Sequence, residues 1–329
     1  MALLVRIYFN AVFGALGGLL GWMLFGIFGD PSGDANREII LGGALIGGII
    51  GYFVVSVDAI RDRSLGRFCR LASYGVVLGA LGGAVGMFVG DWVNFLLVGK
   101  LGAAREGNVL HLLGTMLARG LGWTFLGVAI GISEGIAARS LGKLSYGTLG
   151  GAIGGFVGGS LFGLCYLKVI AGGGAGDPVW KALWVAVGLV ILGACIGSLS
   201  AFVQGVMQPA LVKVVRGWQE GREYPLLKAN NWLGRDERVD IPLFRDMKIE
   251  KQHAIIQREG ADRFVFVNHN APPEWTRVND EPVPGCVDLK DGDRIQLGNV
   301  VLRFHLRTAS ARARAPLGRL SVPKVVVSR

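Results

Sequence analysis

The sequence predicts a multi-domain chain of two materials: a six-helix transmembrane bundle of three tandem helical hairpins, followed by an all-β sandwich. Three observations carry that prediction. Glycine is concentrated at one end, with 45 of the 53 glycines before Val212. The same region holds six apolar stretches long enough to cross a bilayer, which takes about 20 residues per helix. Beyond it the pattern changes to short β-branched and aromatic runs punctuated by Gly, Asn, Asp and Pro, the mark of many short strands joined by turns.

The spans fall at about 7–29, 39–57, 71–97, 109–137, 146–170 and 179–206, within a membrane region of residues 1–207. They explain a hydrophobic fraction of 51% and a mean hydropathy of +0.47, both high for a chain that also carries a soluble domain. The third and fourth exceed the length needed, so tilt is expected. The first lacks a convincing secretory cleavage site and is followed by five more, so it reads as a span.

Basic residues set the orientation. The segment Asp58–Arg70 carries Arg61, Arg63, Arg67 and Arg70, and the next even-numbered loop carries Arg139 and Lys143. Between the first two spans Asp30, Asp34 and Glu38 outnumber Arg37. The positive-inside rule then puts both termini in the cytoplasm. There the cysteines stay reduced, and Cys69, Cys165, Cys195 and Cys286 show no spacing for a disulfide or a zinc site.

The membrane half repeats itself. Phe13-Gly14-Ala15-Leu16-Gly17-Gly18-Leu19-Leu20-Gly21 recurs as Leu78-Gly79-Ala80-Leu81-Gly82-Gly83-Ala84-Val85-Gly86 and as Gly150-Gly151-Ala152-Ile153-Gly154-Gly155-Phe156-Val157-Gly158. After the second and fourth spans, Arg63-Ser64-Leu65-Gly66-Arg67 matches Arg139-Ser140-Leu141-Gly142-Lys143. Three parallel hairpins account for this. Glycine at three- and four-residue spacing, a glycine-zipper pattern, lets helix backbones approach in lipid or associate between chains. The odd spans are therefore expected to form the tight interior.

Ionisable residues inside spans are the default clue to transport. Here they are Asp91, Arg119 and Glu134, with Lys168 near a span end. Arg119 and Glu134 are fifteen residues apart, about 22 Å on one helix, and cannot pair. Asp91 and Arg119 lie toward the outer ends of adjacent spans and suit a structural ion pair. The match of Gly131-Ile132-Ser133-Glu134-Gly135 to G-x-S-x-G lies in an apolar helix, without the strand before it that a nucleophile elbow needs. None of the spans after Ser133 contains a His, and no phosphate-binding loop or HExxH appears. Enzymatic activity is not expected, and no cofactor or metal is implied.

The second half spells its landmarks in order: Leu233-Gly234-Arg235, Val239-Asp240-Ile241-Pro242-Leu243, Ile249-Glu250-Lys251-Gln252-His253-Ala254-Ile255-Ile256, Thr276-Arg277-Val278-Asn279 and Leu289-Lys290-Asp291-Gly292-Asp293-Arg294-Ile295-Gln296-Leu297-Gly298. This stretch resembles the forkhead-associated (FHA) domain, whose pattern runs GR, DI-x-L, S-R/K-x-H-A, N-G-T-x-V-N and L-x-D-G-D-x-I-x-L-G. Five motifs in the right order make the resemblance specific. It implies a β-sandwich over 223–307 that binds phosphopeptides with loops at one end. A short linker is expected at 208–222, and a disordered basic tail, net +5 with no acids, at 308–329.

In that family the Arg of GR and the Ser of S-R/K-x-H contact phosphate, and the Asn of N-G-T orders the peptide. By resemblance Arg235 and Lys251 match their positions, Glu250 stands at the Ser and Glu274 at the Asn. Thr276 and Asn279 complete the candidates. Gly234, His253, Gly292 and Asp293 match structural positions. A carboxylate at ~4 Å from another unit charge repels it by about 4 kcal/mol at an effective dielectric near 20, and a phosphate is nearly dianionic. This leaves three readings open: phosphothreonine binding, an internal Glu250–Arg235 salt bridge, or recognition of an unmodified partner.

The expectation is a membrane-anchored adaptor that recruits a cytoplasmic protein or phosphoprotein in signalling. The alternatives are a channel or transporter regulated by the domain, and a sandwich kept as a structural cap. The combination resembles bacterial membrane proteins that carry FHA domains, which implies the bacterial cytoplasmic membrane. The five scattered tail charges do not suggest nucleic acid.

Overall fold

The computed structural model describes residues 2–28, 35–62, 65–100, 109–171, 177–236, 238–260, 262–269 and 271–307. The chain divides into two compact units between Met207 and Gln208. The basic tail from Thr308 lies outside the described residues, as do Asp30 and Asp34.

Among the described residues the first unit is six α-helices: α1 (Ala2–Phe28), α2 (Ala35–Asp62), α3 (Leu65–Asn94), α4 (Val109–Ala138), α5 (Leu141–Ala171) and α6 (Pro178–Met207). α3 runs on into a π-helical turn, Phe95–Lys100. All six are long and apolar enough to cross a membrane. The segment Asp58–Arg70, read from its charges as a loop, is mostly helical, because α2 continues to Asp62 and α3 begins at Leu65. Arginine is a good helix former, so charge ends the apolar stretch without ending the helix. The equivalent α4–α5 connection is equally tight. Arg139 adopts a positive φ of 50°, and the Ser140 hydroxyl accepts a hydrogen bond from the Lys143 N–H at 3.2 Å, capping α5.

Each helix packs on its neighbours in sequence, and α1 closes on α6 to complete a ring. Backbones meet directly where glycines face each other. Gly43, Gly47 and Gly51 of α2 oppose Gly83, Gly79 and Gly75 of α3, one turn apart, and a methyl group on any of them would overlap the facing backbone. Gly127 and Gly151 (α4–α5) and Gly14 and Gly193 (α1–α6) repeat the arrangement.

Two of the odd helices, α1 and α3, nevertheless do not form the interior. Only 22% of the apolar window of α1 and 28% of that of α3 is buried, against 56% for both α2 and α4, with α5 at 50% and α6 at 39%. The core is built mainly from even helices: Ile46, Ile50 and Val54 of α2, Leu126 and Ile130 of α4, and Leu189, Leu192 and Ile196 of α6. The reason is volume. A glycine face allows close approach but has no side chains with which to fill a centre, so the branched residues of the even helices take that place.

Among the described residues the second unit is a sandwich of eleven strands: β1 (Ala210–Arg216), β2 (Glu223–Pro225), β3 (Asn230–Gly234), β4 (Ile241–Pro242), β5 (Ala254–Glu259), β6 (Arg263–Asn268), β7 (Thr276–Val278), β8 (Glu281–Pro282), β9 (Cys286–Leu289), β10 (Arg294–Leu297) and β11 (Val300–Leu306). One sheet has the order β2-β1-β11-β10-β7-β8 and the other β4-β3-β5-β6-β9. Alternating residues such as Val212, Val214, Ile256, Phe264, Phe266, Leu302 and Phe304 fill the space between them.

Residues 208–222, expected as a linker, are therefore part of the sandwich. β1 pairs with β11 from Ala210↔Leu306 to Arg216↔Val301 and buries Ala210, Leu211, Val212 and Val214. The alternation of Ala210, Val212 and Val214 is a half-buried strand pattern that proximity to the last span had masked.

Candidate functional site

Three loops meet at one end of the sandwich, and local chemistry explains how each is held. β3 ends in Gly234-Arg235. A methyl group on Gly234 would overlap the Lys251 carbonyl, so glycine is what lets the β4–β5 loop lie against β3. Backbone bonds then stitch the two: the Arg235 N–H donates to the Glu250 carbonyl at 2.9 Å, and the His253 N–H to that of Leu233 at 2.9 Å. The same loop is tied to the β10–β11 turn by Asp246, a buried carboxylate that accepts from the N–H groups of Asn299 (2.7 Å) and Lys248 (3.0 Å).

His253 is the brace at the centre. It is fully buried, and Nδ1 accepts a hydrogen bond from the Glu250 N–H at 3.2 Å. The ring proton therefore sits on Nε2, which donates to the Thr276 hydroxyl at 2.9 Å. That hydroxyl in turn donates to the Pro272 carbonyl at 3.3 Å. One imidazole thus links the β4–β5 and β6–β7 loops. Burial lowers its pKa, against the opposing pull of the Glu250 and Asp246 carboxylates.

The brace leaves three side chains on the edge. Arg235 is half-buried and its Nη1 lies 2.8 Å from the Met247 sulfur, while Glu250 and Lys251 are exposed. Among the described residues Arg235 and Glu250 form no ion pair, so the internal salt bridge left open by the sequence is not what fills this place. Glu274 is exposed in the short 3-10 turn Pro273–Trp275.

The other candidates are placed differently. Thr276 is wholly buried, and its hydroxyl is used by His253 and Pro272. Asn279 lies at the far end of β7, about 10 Å along the strand from Thr276 at ~3.3 Å per residue. It donates to Asp293 Oδ1 and accepts from the Arg294 N–H, each at 2.9 Å. Asn279 and Asp280 have φ of 52° and 68°, the positive pair of a type I′ hairpin turn. Asp293 also accepts from the Lys290 N–H at 2.7 Å, and Gly292 turns at φ 88°. Asn279, Gly292 and Asp293 thus hold the end opposite the loops. Sequence reading missed Asp246 and Met247. Asp246 had no local signal, since its partner Asn299 is 53 residues away.

In the helical unit Arg119 Nη1 sits 2.6 Å from Asp91 Oδ1, joining α4 to α3, and its guanidinium lies 4.9 Å from the centre of the Tyr166 ring. Glu134 does not stand alone: Gln204 Nε2 donates to its Oε2, and Gln204 Oε1 accepts from Arg6 Nη2 at 2.8 Å. That chain ties α4, α6 and α1 together. Gln204 and Arg6 escaped the sequence reading because neither is an unusual residue at a span end.

The geometry defines a sandwich with loops at one end braced by a buried histidine. The chain carries an FHA domain: the family model of that name matches residues 231–298. An FHA domain studied for phosphothreonine-dependent interactions is 26% identical, covering 30% of this chain and 96% of its own, with a TM-score of 0.27. The FhaA FHA domain, crystallised with the intracellular domain of a second protein, is 27% identical over 29% of this chain and 99% of its own, with a TM-score of 0.26. The FHA domain of a Chlamydia trachomatis protein is 21% identical over 30% and 96%, with a TM-score of 0.27. No curated protein matches the chain.

Proposed function

We propose that this protein is a membrane-anchored adaptor, its six helices in a cytoplasmic membrane with both termini inside and its FHA domain recruiting a protein partner through the loop end. The observation that carries the reading is the loop end itself. His253 and Asp246 fix two loops and a turn from the interior, and Arg235 and Lys251 are left at the edge. The apolar lengths of the helices and the basic excess at Arg67, Arg70, Arg139 and Lys143 support the anchoring and its direction.

An anionic group of the partner meets Arg235 and Lys251, and Glu250 limits which anion is accepted. Its carboxylate is exposed on a residue that precedes Lys251 and whose backbone carbonyl accepts from the Arg235 N–H, so it repels a phosphate that approaches this edge. Wild-type protein is therefore expected to bind phosphothreonine peptides weakly. Glu250→Ser should raise that affinity by roughly tenfold or more, each factor of ten needing only ~1.4 kcal/mol, and adding Arg235→Ala should cancel the gain. Titration of a phosphothreonine peptide panel against both variants tests this. Micromolar binding by the wild type that Glu250→Ser destroys would mean that Glu250 belongs to a differently built site.

A further inference from the structure

The outward faces of the two sheets carry charge in opposite ways. On the β4-β3-β5-β6-β9 sheet unlike charges meet, with Arg263 between Glu259 at 3.1 Å and Asp288 at 3.0 Å. Opposite charges facing across strands stabilise a sheet. On the other sheet the register sets like charges side by side. Lys213 of β1 faces Arg303 of β11, and Arg303 faces Arg294 of β10. Arg277 of β7 follows one pair further on, beside Gln296. Their strand neighbours Val212, Leu302, Phe304 and Ile295 are buried between the sheets, so the cations point outward.

Lys213 is half-buried and the three arginines are exposed. Among the described residues none of the four forms an ion pair. Glu223 of β2 closes the row opposite Lys213. Like charges directly opposite one another destabilise a sheet, so this row costs the fold stability that a polyanion laid on the face would restore.

Resting on the membrane anchoring proposed above, we propose that this face docks on the anionic headgroups of the bilayer that holds the helices. Charge complementarity sets the class of occupant, and the covalent tether selects within that class. Only Gln208 and Pro209 separate the end of α6 at Met207 from the start of β1 at Ala210, which is at most about 11 Å of extended chain. A surface tethered so closely is met at a far higher effective concentration than a soluble acidic chain. The Arg307 N–H donates to the Pro209 carbonyl at 2.8 Å, so residues 308–329, net +5 with no acids, leave the sandwich at the same point. A short tether fixes distance and not direction, and the charge then selects which face turns to the lipid. Each basic residue near an anionic leaflet favours docking by roughly fivefold, so Lys213, Arg294 and Arg303 together amount to about a hundredfold.

Full-length protein carrying Cys69→Ser, Cys286→Ser and Gln296→Cys would be labelled with a donor dye at position 296. It is placed in nanodiscs of phosphatidylcholine, or of phosphatidylcholine with phosphatidylglycerol, each with a trace of acceptor-labelled lipid. A second form carries Cys69→Ser alone and holds the dye on Cys286, at the edge of the other sheet. Energy transfer from position 296 should rise with phosphatidylglycerol, and transfer from Cys286 should not. The rise should vanish in about 1 M salt, where the screening length is ~3 Å. It should vanish as well when Lys213→Gln, Arg294→Gln and Arg303→Gln are combined. None of the three lies in the core, and an unchanged melting temperature verifies folding. No rise, a rise that survives salt and the triple variant, or an equal rise at both positions overturns the docking and leaves the anchoring standing. A glutamate-rich peptide added to phosphatidylcholine discs probes the other occupant. Binding that the triple variant loses, with phosphatidylglycerol without effect on transfer, would assign the face to a soluble acidic partner and also overturns the docking. Protein that alkaline carbonate strips from membranes would sink the anchoring itself.

Discussion

The helical unit and the sandwich bury themselves by opposite means. Between helices the tightest contacts are backbone against backbone, Gly47 to Gly79 and Gly127 to Gly151, and they exist because side chains are missing. Between sheets the contact is side chain against side chain, with Phe264 and Phe304 at 5.4 Å between ring centroids and both essentially inaccessible. On the membrane-anchored reading proposed above, the difference follows from the solvent each unit faces. In water, apolar side chains gain about 25 cal/mol for each Å² buried, so large residues are worth placing inside. In lipid that gain disappears, and close approach of small residues becomes the source of packing. The two units should therefore fail under opposite substitutions, adding atoms in one and removing them in the other.

The largest effect is expected from adding atoms to the glycine ladder. Gly47→Leu puts a side chain where the Gly79 carbonyl and Gly83 Cα already are, and no flexible neighbour can yield. The helical unit should lose its native packing, while Gly66→Leu, where nothing lies within 4 Å, should be tolerated. Size-exclusion profile and thermal unfolding in detergent check this, and equal tolerance at both sites would break the comparison. Removing atoms from the sandwich comes next. Phe304→Ala should cost the second unit about 3–5 kcal/mol, the usual range for a buried aromatic, and leave the helices unchanged. Denaturant unfolding of the full chain, followed by a probe in each unit, separates the two responses.

The sandwich was legible because its motifs are local and ordered: Gly234-Arg235, the run to His253, and the turn at Gly292-Asp293 each specify a short piece of backbone. What was not legible depends on contacts distant in sequence. Asp246 reaches Asn299, Trp218 stacks under Arg245, and β1 declares itself a strand only by pairing with β11. Residue type placed Thr276 and Asn279 among the candidate ligands, and only the structure showed the Thr276 hydroxyl buried against His253 and the Asn279 amide bonded at the surface to Asp293. In the helical unit, periodicity gave the glycine faces but not what faces them. Which helices fill the centre is decided by volume, and the repeats carry no signal of that.

Gln204 gives a smaller test of the same contrast, at a place where the helical unit does rely on side chains. It bridges Arg6 on α1 and Glu134 on α4, so Gln204→Leu keeps the volume and removes both bonds. A hydrogen bond to a charged group contributes roughly 1.5–3 kcal/mol. A modest fall in the melting temperature of the helical unit in detergent, with no change in the sandwich, is expected. No change at all would mean that the glycine contacts alone set its stability.

The smallest expected effect concerns His253 and acts only on the sandwich. Burial lowers its pKa from the ordinary value of 6.5, and its Nδ1 accepts from the Glu250 N–H, so the folded domain keeps the ring neutral. The unfolded chain takes up a proton as pH falls through about 6.5, before the folded state does. Stability from this residue is therefore fully present above that pH and is lost as pH drops toward the lower folded value, with a slope of at most ~1.4 kcal/mol per unit. Between pH 7 and 5, above the usual range of Asp and Glu, His253 should dominate the pH dependence of the sandwich. His253→Asn keeps an acceptor near the Glu250 N–H but cannot titrate. It should lower stability at pH 7 and flatten the slope. Denaturation midpoints at pH 7, 6 and 5 for both forms decide the matter, and an equal slope in the two would show that the proton goes elsewhere.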